Sequence, residues 1–232
     1  MGGVVDTLLF QPPTPPTPIR LAAATGGGRR ELVWLKTVYG SKIPALFLQR
    51  KFAIYTILYS HGNAEDLGML SSYLADLSKI LHVNILAYDY TGYGYSNRHL
   101  AKNSKSMEKL PSEQHCYADI CAAYDYLIRL RGIPPRHIIL FGRSIGSGPS
   151  CYLATKLNAT KTSSETEDFQ CTSQCSTFAQ FVEEPLSSLN RNDLNELGDE
   201  IKDSEYIGGI ILHSPFACKS FVYLAIHLTT TF

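Results

Sequence analysis

Four short apolar runs, at residues 53–59, 83–88, 137–141 and 207–212, leave this chain little choice of architecture. They are rich in β-branched and aromatic side chains and lack polar alternation, the pattern of strands buried on both faces of a parallel sheet. Stretches of helical spacing separate them. Leu67, Leu70, Leu74, Leu77 and Leu81 share one face of residues 66–81, and Ile120, Ala123, Tyr124, Leu127 and Leu130 share one face of residues 113–130. A third helix is expected over residues 145–157. Strand and helix alternate, so the expected fold class is α/β, a mainly parallel sheet with helices on both faces. Ahead of it, alternating apolar positions at residues 31–38 and 42–48 flank Tyr39-Gly40 and predict an antiparallel hairpin.

Residues 11–18 hold five prolines and read as extended and non-helical, the glycines at 26–28 then loosen the chain, and residues 1–30 together read as a Pro/Gly-rich lead-in. Residues 31–232 read as one domain, interrupted by polar segments at about 97–110 and 158–204. The second is long and rich in Ser, Thr, Asn and Glu, and is expected to be a solvated excursion. Lysine plus arginine balance aspartate plus glutamate at 21 each, which gives no electrostatic footprint for nucleic acid. None of the six cysteines forms a Cys-x-x-Cys pair or has zinc spacing with histidine, so neither metal nor cofactor is expected. The thiols suit a reducing compartment. The sequence shows no secretory signal and no run near the ~20 apolar residues of a spanning helix. A cytoplasmic location is the expectation.

The chemistry concentrates in Gly142-Arg143-Ser144-Ile145-Gly146. The motif follows the strand at 137–141 and opens the next helix, the strand–turn–helix setting of a nucleophilic serine. Gly142 and Gly146 let the two backbones approach, and Ser144 is thereby pushed clear of the sheet. Ser60-His61-Gly62-Asn63-Ala64 follows the strand at 53–59. A loop in that place donates one backbone N–H to an oxyanion, and the residue after the nucleophile donates the other, so Asn63 and Ile145 are the expected pair. His61 precedes a glycine turn, where bonding to nearby backbone is favoured over a base role. Asp89, in Tyr88-Asp89-Tyr90-Thr91-Gly92-Tyr93-Gly94, is expected to brace that turn rather than act as a triad acid.

These motifs, with Pro111-Ser112-Glu113, Cys116-Tyr117-Ala118-Asp119-Ile120, Leu212-His213-Ser214-Pro215-Phe216 and the lead-in Leu9-Phe10-Gln11-Pro12-Pro13, occur in an order that resembles the alpha/beta hydrolase domain-containing protein 17 family. The resemblance implies an α/β-hydrolase fold and a membrane-associated serine hydrolase that removes S-palmitoyl groups from proteins. It implies S-acylated proteins as partners, with peripheral contact at the cytosolic face of plasma or endosomal membranes. The sequence departs from the family in its two polar segments and in lacking an N-terminal cysteine cluster, the first cysteine being Cys116. The family also places its acid and its histidine after two further strands. Here only His213 and His227 follow Ser144, and no acid follows Glu205. The fold is therefore expected to be incomplete at the C-terminus, with no triad acid or base in this chain. Little turnover and an unpaired hydrophobic sheet edge after the fourth strand are expected to follow. The alternatives are a non-catalytic binding module, or an esterase or peptidase of the same fold.

Overall fold

The computed structural model describes residues 9–19, 28–96, 110–159, 207–213 and 224–225. The two polar segments lie outside the described residues apart from their ends, as does most of the apolar stretch 221–232. β1 (Arg29–Lys36) and β2 (Lys42–Gln49) form the expected hairpin. Then come β3 (Thr56–Ser60), α1 (Leu67–Leu81), β4 (Asn84–Tyr88), α2 (Glu113–Asp125), β5 (Ile138–Arg143), α3 (Ser147–Ala159), β6 (Gly209–His213) and the short β7 (Leu224–Ala225). The sheet order is β1-β2-β4-β3-β5-β6-β7. Its centre, β4-β3-β5-β6, is parallel, and β1, β2 and β7 are the antiparallel additions.

Alternation along the strands divides the core in two. Ile57 and Tyr59 of β3 with Ile85 and Ala87 of β4 face α1, where Leu67, Leu70 and Leu74 meet them. Leu58, Leu86, Tyr88, Ile138 and Leu140 point the other way and meet Ile120, Ala123 and Tyr124 of α2 and Leu153 of α3. Helices thus cover both faces. The chain leaves β3 for β4 on one side and returns to β5 on the other. Open α/β sheets place their ligands at such a topological switch point, here the carboxyl ends of β3 and β5.

Local chemistry sets the helix starts. The Asp66 side chain accepts the Met69 amide at 2.9 Å, and Ser112 accepts the His115 amide at 3.2 Å, each satisfying an otherwise orphaned N–H. Several expected boundaries move. β3 begins at Thr56 rather than residue 53, because its neighbours begin there: Thr56 pairs with Asn84 of β4 and with Ile138 of β5. The helix expected over 113–130 widens into a π-turn at Tyr126–Leu130. There Arg131 donates to the Tyr126 hydroxyl at 2.6 Å, pairs with Glu31 of β1, and stacks over the Phe47 and Tyr126 rings. The expectation of an unpaired edge after the fourth parallel strand is corrected by β7, which pairs antiparallel with Ile210 and Ile211 of β6. An apolar strand edge gains backbone hydrogen bonds by accepting even a two-residue partner.

The turn after β4 is anchored from α2. Asp119, fully buried, accepts the Thr91 amide at 2.7 Å and the Thr91 hydroxyl at 2.8 Å. Asp119→Ala leaves both donors buried without acceptors. A loss of about 3 kcal/mol in unfolding free energy is expected, read from the urea midpoint.

Candidate active site

Three loops meet at the carboxyl ends of the central strands. The first follows β3 and carries His61 to Asp66. The second follows β4 and carries Asp89 to Ser96. The third is the turn from β5 into α3, centred on Ser144.

Ser144 has φ +51°. A β-substituted residue in the left-handed region costs on the order of 1–3 kcal/mol, and such strain persists only where surrounding contacts over-determine it. The neighbours do so here. A Cβ on Gly142 would lie 2.5 Å from the Gly146 carbonyl oxygen, and one on Gly146 would lie 2.2 Å from the Ser60 carbonyl oxygen and 2.7 Å from that of His61. Residues 144–146 form a single 3-10 turn that runs into α3, and the Ser147 hydroxyl donates to the Ser144 carbonyl. Ser144 is half-buried. Among the described residues, no side chain is hydrogen-bonded to its hydroxyl.

The end of β3 and the loop after it are held by tyrosines from the end of β4 and the loop after it. The Tyr88 hydroxyl and the Ser60 hydroxyl share a hydrogen bond at 2.7 Å, Tyr90 donates to the His61 carbonyl at 2.7 Å, and Tyr93 donates to Asn63 Oδ1 at 2.7 Å. The three rings stack edge to face, with centroids 5.5 Å apart at each step. Burial pushes all three phenol pKa values up, so they remain neutral donors. Ala64 in the same loop has φ +56°. The site therefore holds two strained residues, one in each loop proposed to supply an oxyanion donor.

Glu65 joins those two loops. One carboxylate oxygen accepts the Gly62 amide at 2.8 Å, and the other pairs with the Arg143 guanidinium. Sequence reading passed over Glu65, Arg143, Tyr90 and Tyr93. The available signal was their position inside the motifs, which named their neighbours but not these contacts.

His61 and Asp89 lie beneath the loops, fully buried. His61 Nδ1 donates to the Gly62 carbonyl at 2.8 Å, and its ring packs against Tyr90 and Tyr93. It thus shapes the loop, as expected. Asp89 accepts the Leu67 amide at the start of α1 at 2.8 Å, and its other oxygen lies against Gly94, where a Cβ would sit 1.9 Å away. His61 Nε2 is 3.7 Å from Asp89 Oδ1. His61 Nε2 and Asp89 Oδ2 have no hydrogen-bond partner. Burial pushes His61 down to about 4 and Asp89 up to about 8. At neutral pH the pair is accordingly an uncharged imidazole facing a carboxyl that is largely protonated. His213 ends β6 in register with Arg143 and is exposed; His227 lies outside the described residues.

Residues 55–161, from just before β3 to just past α3, match the alpha/beta hydrolase fold family. The topological switch point and the strained serine turn belong to that architecture, and the chain has the α/β-hydrolase fold. Its curated relatives are alpha/beta hydrolase domain-containing proteins of group 17 and their kin, in agreement with the resemblance carried by the motifs. The Xenopus tropicalis alpha/beta hydrolase domain-containing protein 17B is 41% identical over 127 residues, a match spanning 54% of this chain and 40% of that protein. The Caenorhabditis elegans alpha/beta hydrolase domain-containing protein aho-3 is 44% identical over 102 residues, spanning 44% of this chain and 27% of that one. Among solved structures, an alpha-beta hydrolase from Vibrio vulnificus aligns with TM-score 0.48 at 24% identity, over 69% of this chain and 47% of that one. The matched part is thus less than half the length of these curated relatives.

The buried pair predicts a pH signature. Asp89 keeps its proton up to about pH 8 in the folded state against an ordinary 3.8, so its stabilising contribution is present at low pH and lost as pH rises towards 8. His61 runs the other way, losing its contribution as pH falls from 6.5 to about 4. The opposed slopes cancel between about 4 and 6.5. Between 6.5 and 8 stability should fall by on the order of 1–2 kcal/mol, and Asp89→Asn should flatten that fall in urea titrations across the range.

Proposed function

We propose that this protein is a serine hydrolase that cleaves acyl thioesters, taking S-palmitoyl groups from proteins. The observation that carries the reading is Ser144 at positive φ on a glycine-flanked strand-to-helix turn, packed against the loop that holds Asn63. The Ser144 hydroxyl oxygen attacks the acyl carbonyl carbon. Negative charge builds on the carbonyl oxygen, and the backbone amides of Asn63 and Ile145 receive it. Each preorganised donor of this kind contributes roughly 10²–10³ in rate. The C–S bond then breaks, the thiol leaves with a proton, and water hydrolyses the acyl-serine.

No described side chain hydrogen-bonds the Ser144 hydroxyl, so the reading assigns the nucleophile and the oxyanion donors and no base. Resemblance to the group 17 hydrolases supports the palmitoyl–cysteine substrate class and peripheral contact with a cytosolic membrane face. Among the described residues no helix is long and apolar enough to cross a membrane. The same fold kept as a binding module is the second reading, favoured by the lack of a described partner for the Ser144 hydroxyl.

An alkyl fluorophosphonate should label the protein on Ser144, and Ser144→Ala should abolish labelling while leaving the thermal midpoint within a few degrees. Any thioester hydrolysis above the uncatalysed background should disappear in that variant, and without a base that activity is expected to be small. Binding of an acyl chain with neither labelling nor turnover would favour the binding module instead.

A further inference from the structure

The proline-rich lead-in ends up on the active-site loop. Asn63 holds it with both ends of one carboxamide: Nδ2 donates to the Leu9 carbonyl at 2.7 Å, and Oδ1 accepts the Gln11 amide at 2.9 Å. One side chain thus satisfies a carbonyl and an amide two residues apart on the lead-in. Between them Phe10 turns inward, 7% exposed, into the core cluster that contains Tyr88, Tyr90 and Tyr93. Further on, the Thr17 amide donates to Asp66 Oδ2 at 2.7 Å, while Asp66 Oδ1 caps α1. The Thr17 carbonyl lies so close to Gly68 that a Cβ there would sit 2.2 Å from it. Residues 9–17 therefore run along the whole loop from Asn63 to the first turn of α1.

Two further facts tie this contact to the site. Asn63 Oδ1 also accepts the Tyr93 hydroxyl, so the lead-in and the tyrosine ladder grip one side chain. The next residue, Ala64, is held at φ +56°, a strained conformation that relaxes unless contacts on the loop enforce it. Prolines at 12, 13, 15 and 16 pre-set the backbone of the lead-in, which lowers the entropy lost when it docks.

We propose that residues 9–17 are a strap that positions the oxyanion loop, with the Asn63 carboxamide as the positioning group through which the strap sets the Asn63 backbone N–H. The inference rests on the serine hydrolase reading. Loss of the strap moves a donor used in the transition state more than in the ground state, so it lowers kcat and leaves KM nearly unchanged.

The test compares the unaltered protein with Asn63→Ala, which removes the clasp, and Gln11→Pro, which removes one strap donor without altering the loop. Three quantities are read: kcat and KM for a thioester per titrated active site, the rate of fluorophosphonate labelling, and amide hydrogen exchange. Both variants should lose about tenfold to a hundredfold in kcat and labelling rate, with KM within about twofold. Exchange should rise at residues 62–66 while β3 and β5 stay protected. The double variant should be no slower than the slower single one, because both cut the same link. Unchanged kcat per active site in both variants, or unchanged exchange at 62–66, would overturn the strap. If the unaltered protein takes up no probe at Ser144, the hydrolase reading fails by itself, and the exchange measurement still decides whether the strap holds the loop.

Discussion

Two backbones come closer at the switch point between β3 and β5 than any side chain would allow. Gly146 sits where a Cβ would meet the carbonyl oxygens of Ser60 and His61, and Gly142 sits where one would meet Gly146 itself. That contact fuses the start of α3 to the end of β3. It places the serine turn and the loop after β3 side by side, and it confines Ser144 to a left-handed conformation. The strain at Ser144 and Ala64, on the order of 1–3 kcal/mol each, is offset by the two-faced core beneath, where Ile57, Leu58 and Leu140 are almost wholly excluded from water.

Around this contact the site is built from buried polar groups that satisfy one another. Tyrosine hydroxyls from the end of β4 and the loop after it reach the hydroxyl of Ser60, the carbonyl of His61 and the carboxamide of Asn63 in turn. Asp119 anchors the same loop from α2, and Glu65 bridges the first and third loops. Such networks specify one arrangement because each group left without a partner costs about 1–3 kcal/mol. One exception is His61 facing Asp89, where two buried atoms lack partners. Desolvation resolves the conflict by removing charge from both, which is cheaper than burying an unpaired ion.

The parallel core was legible because its strands are buried on both faces, which writes them as continuous apolar runs. The caps Asp66 and Ser112 lie within a residue of the expected helix starts, since capping is local chemistry. The serine turn was legible for the same reason, its glycines and strand–helix setting being contiguous in the chain. What escaped was non-local. Ala53, Ile54 and Tyr55 have strand-like character, yet Ile54 is 64% exposed because neither neighbouring strand extends far enough to pair with them. The π-turn at Tyr126–Leu130 coincides with Arg131 reaching Glu31, 100 residues away. The pairing of β7 with β6 likewise depends on where two distant segments end up.

Residue order alone thus determined the class of fold, the identity of Ser144 as the serine of a strained turn, and the nearby positions of Asn63 and Ile145. Those features rest on periodicity and on the steric freedom of glycine, which act over a few residues. Tertiary structure alone decided how the loops are held: that Tyr90 and Tyr93 grip the loop after β3, that Glu65 spans to Arg143, and that a proline-rich lead-in is clasped by Asn63 across 52 and 54 residues of sequence. A hydrogen bond over such a span leaves no local pattern, because either partner could serve as an ordinary solvated group until the sheet brings them together.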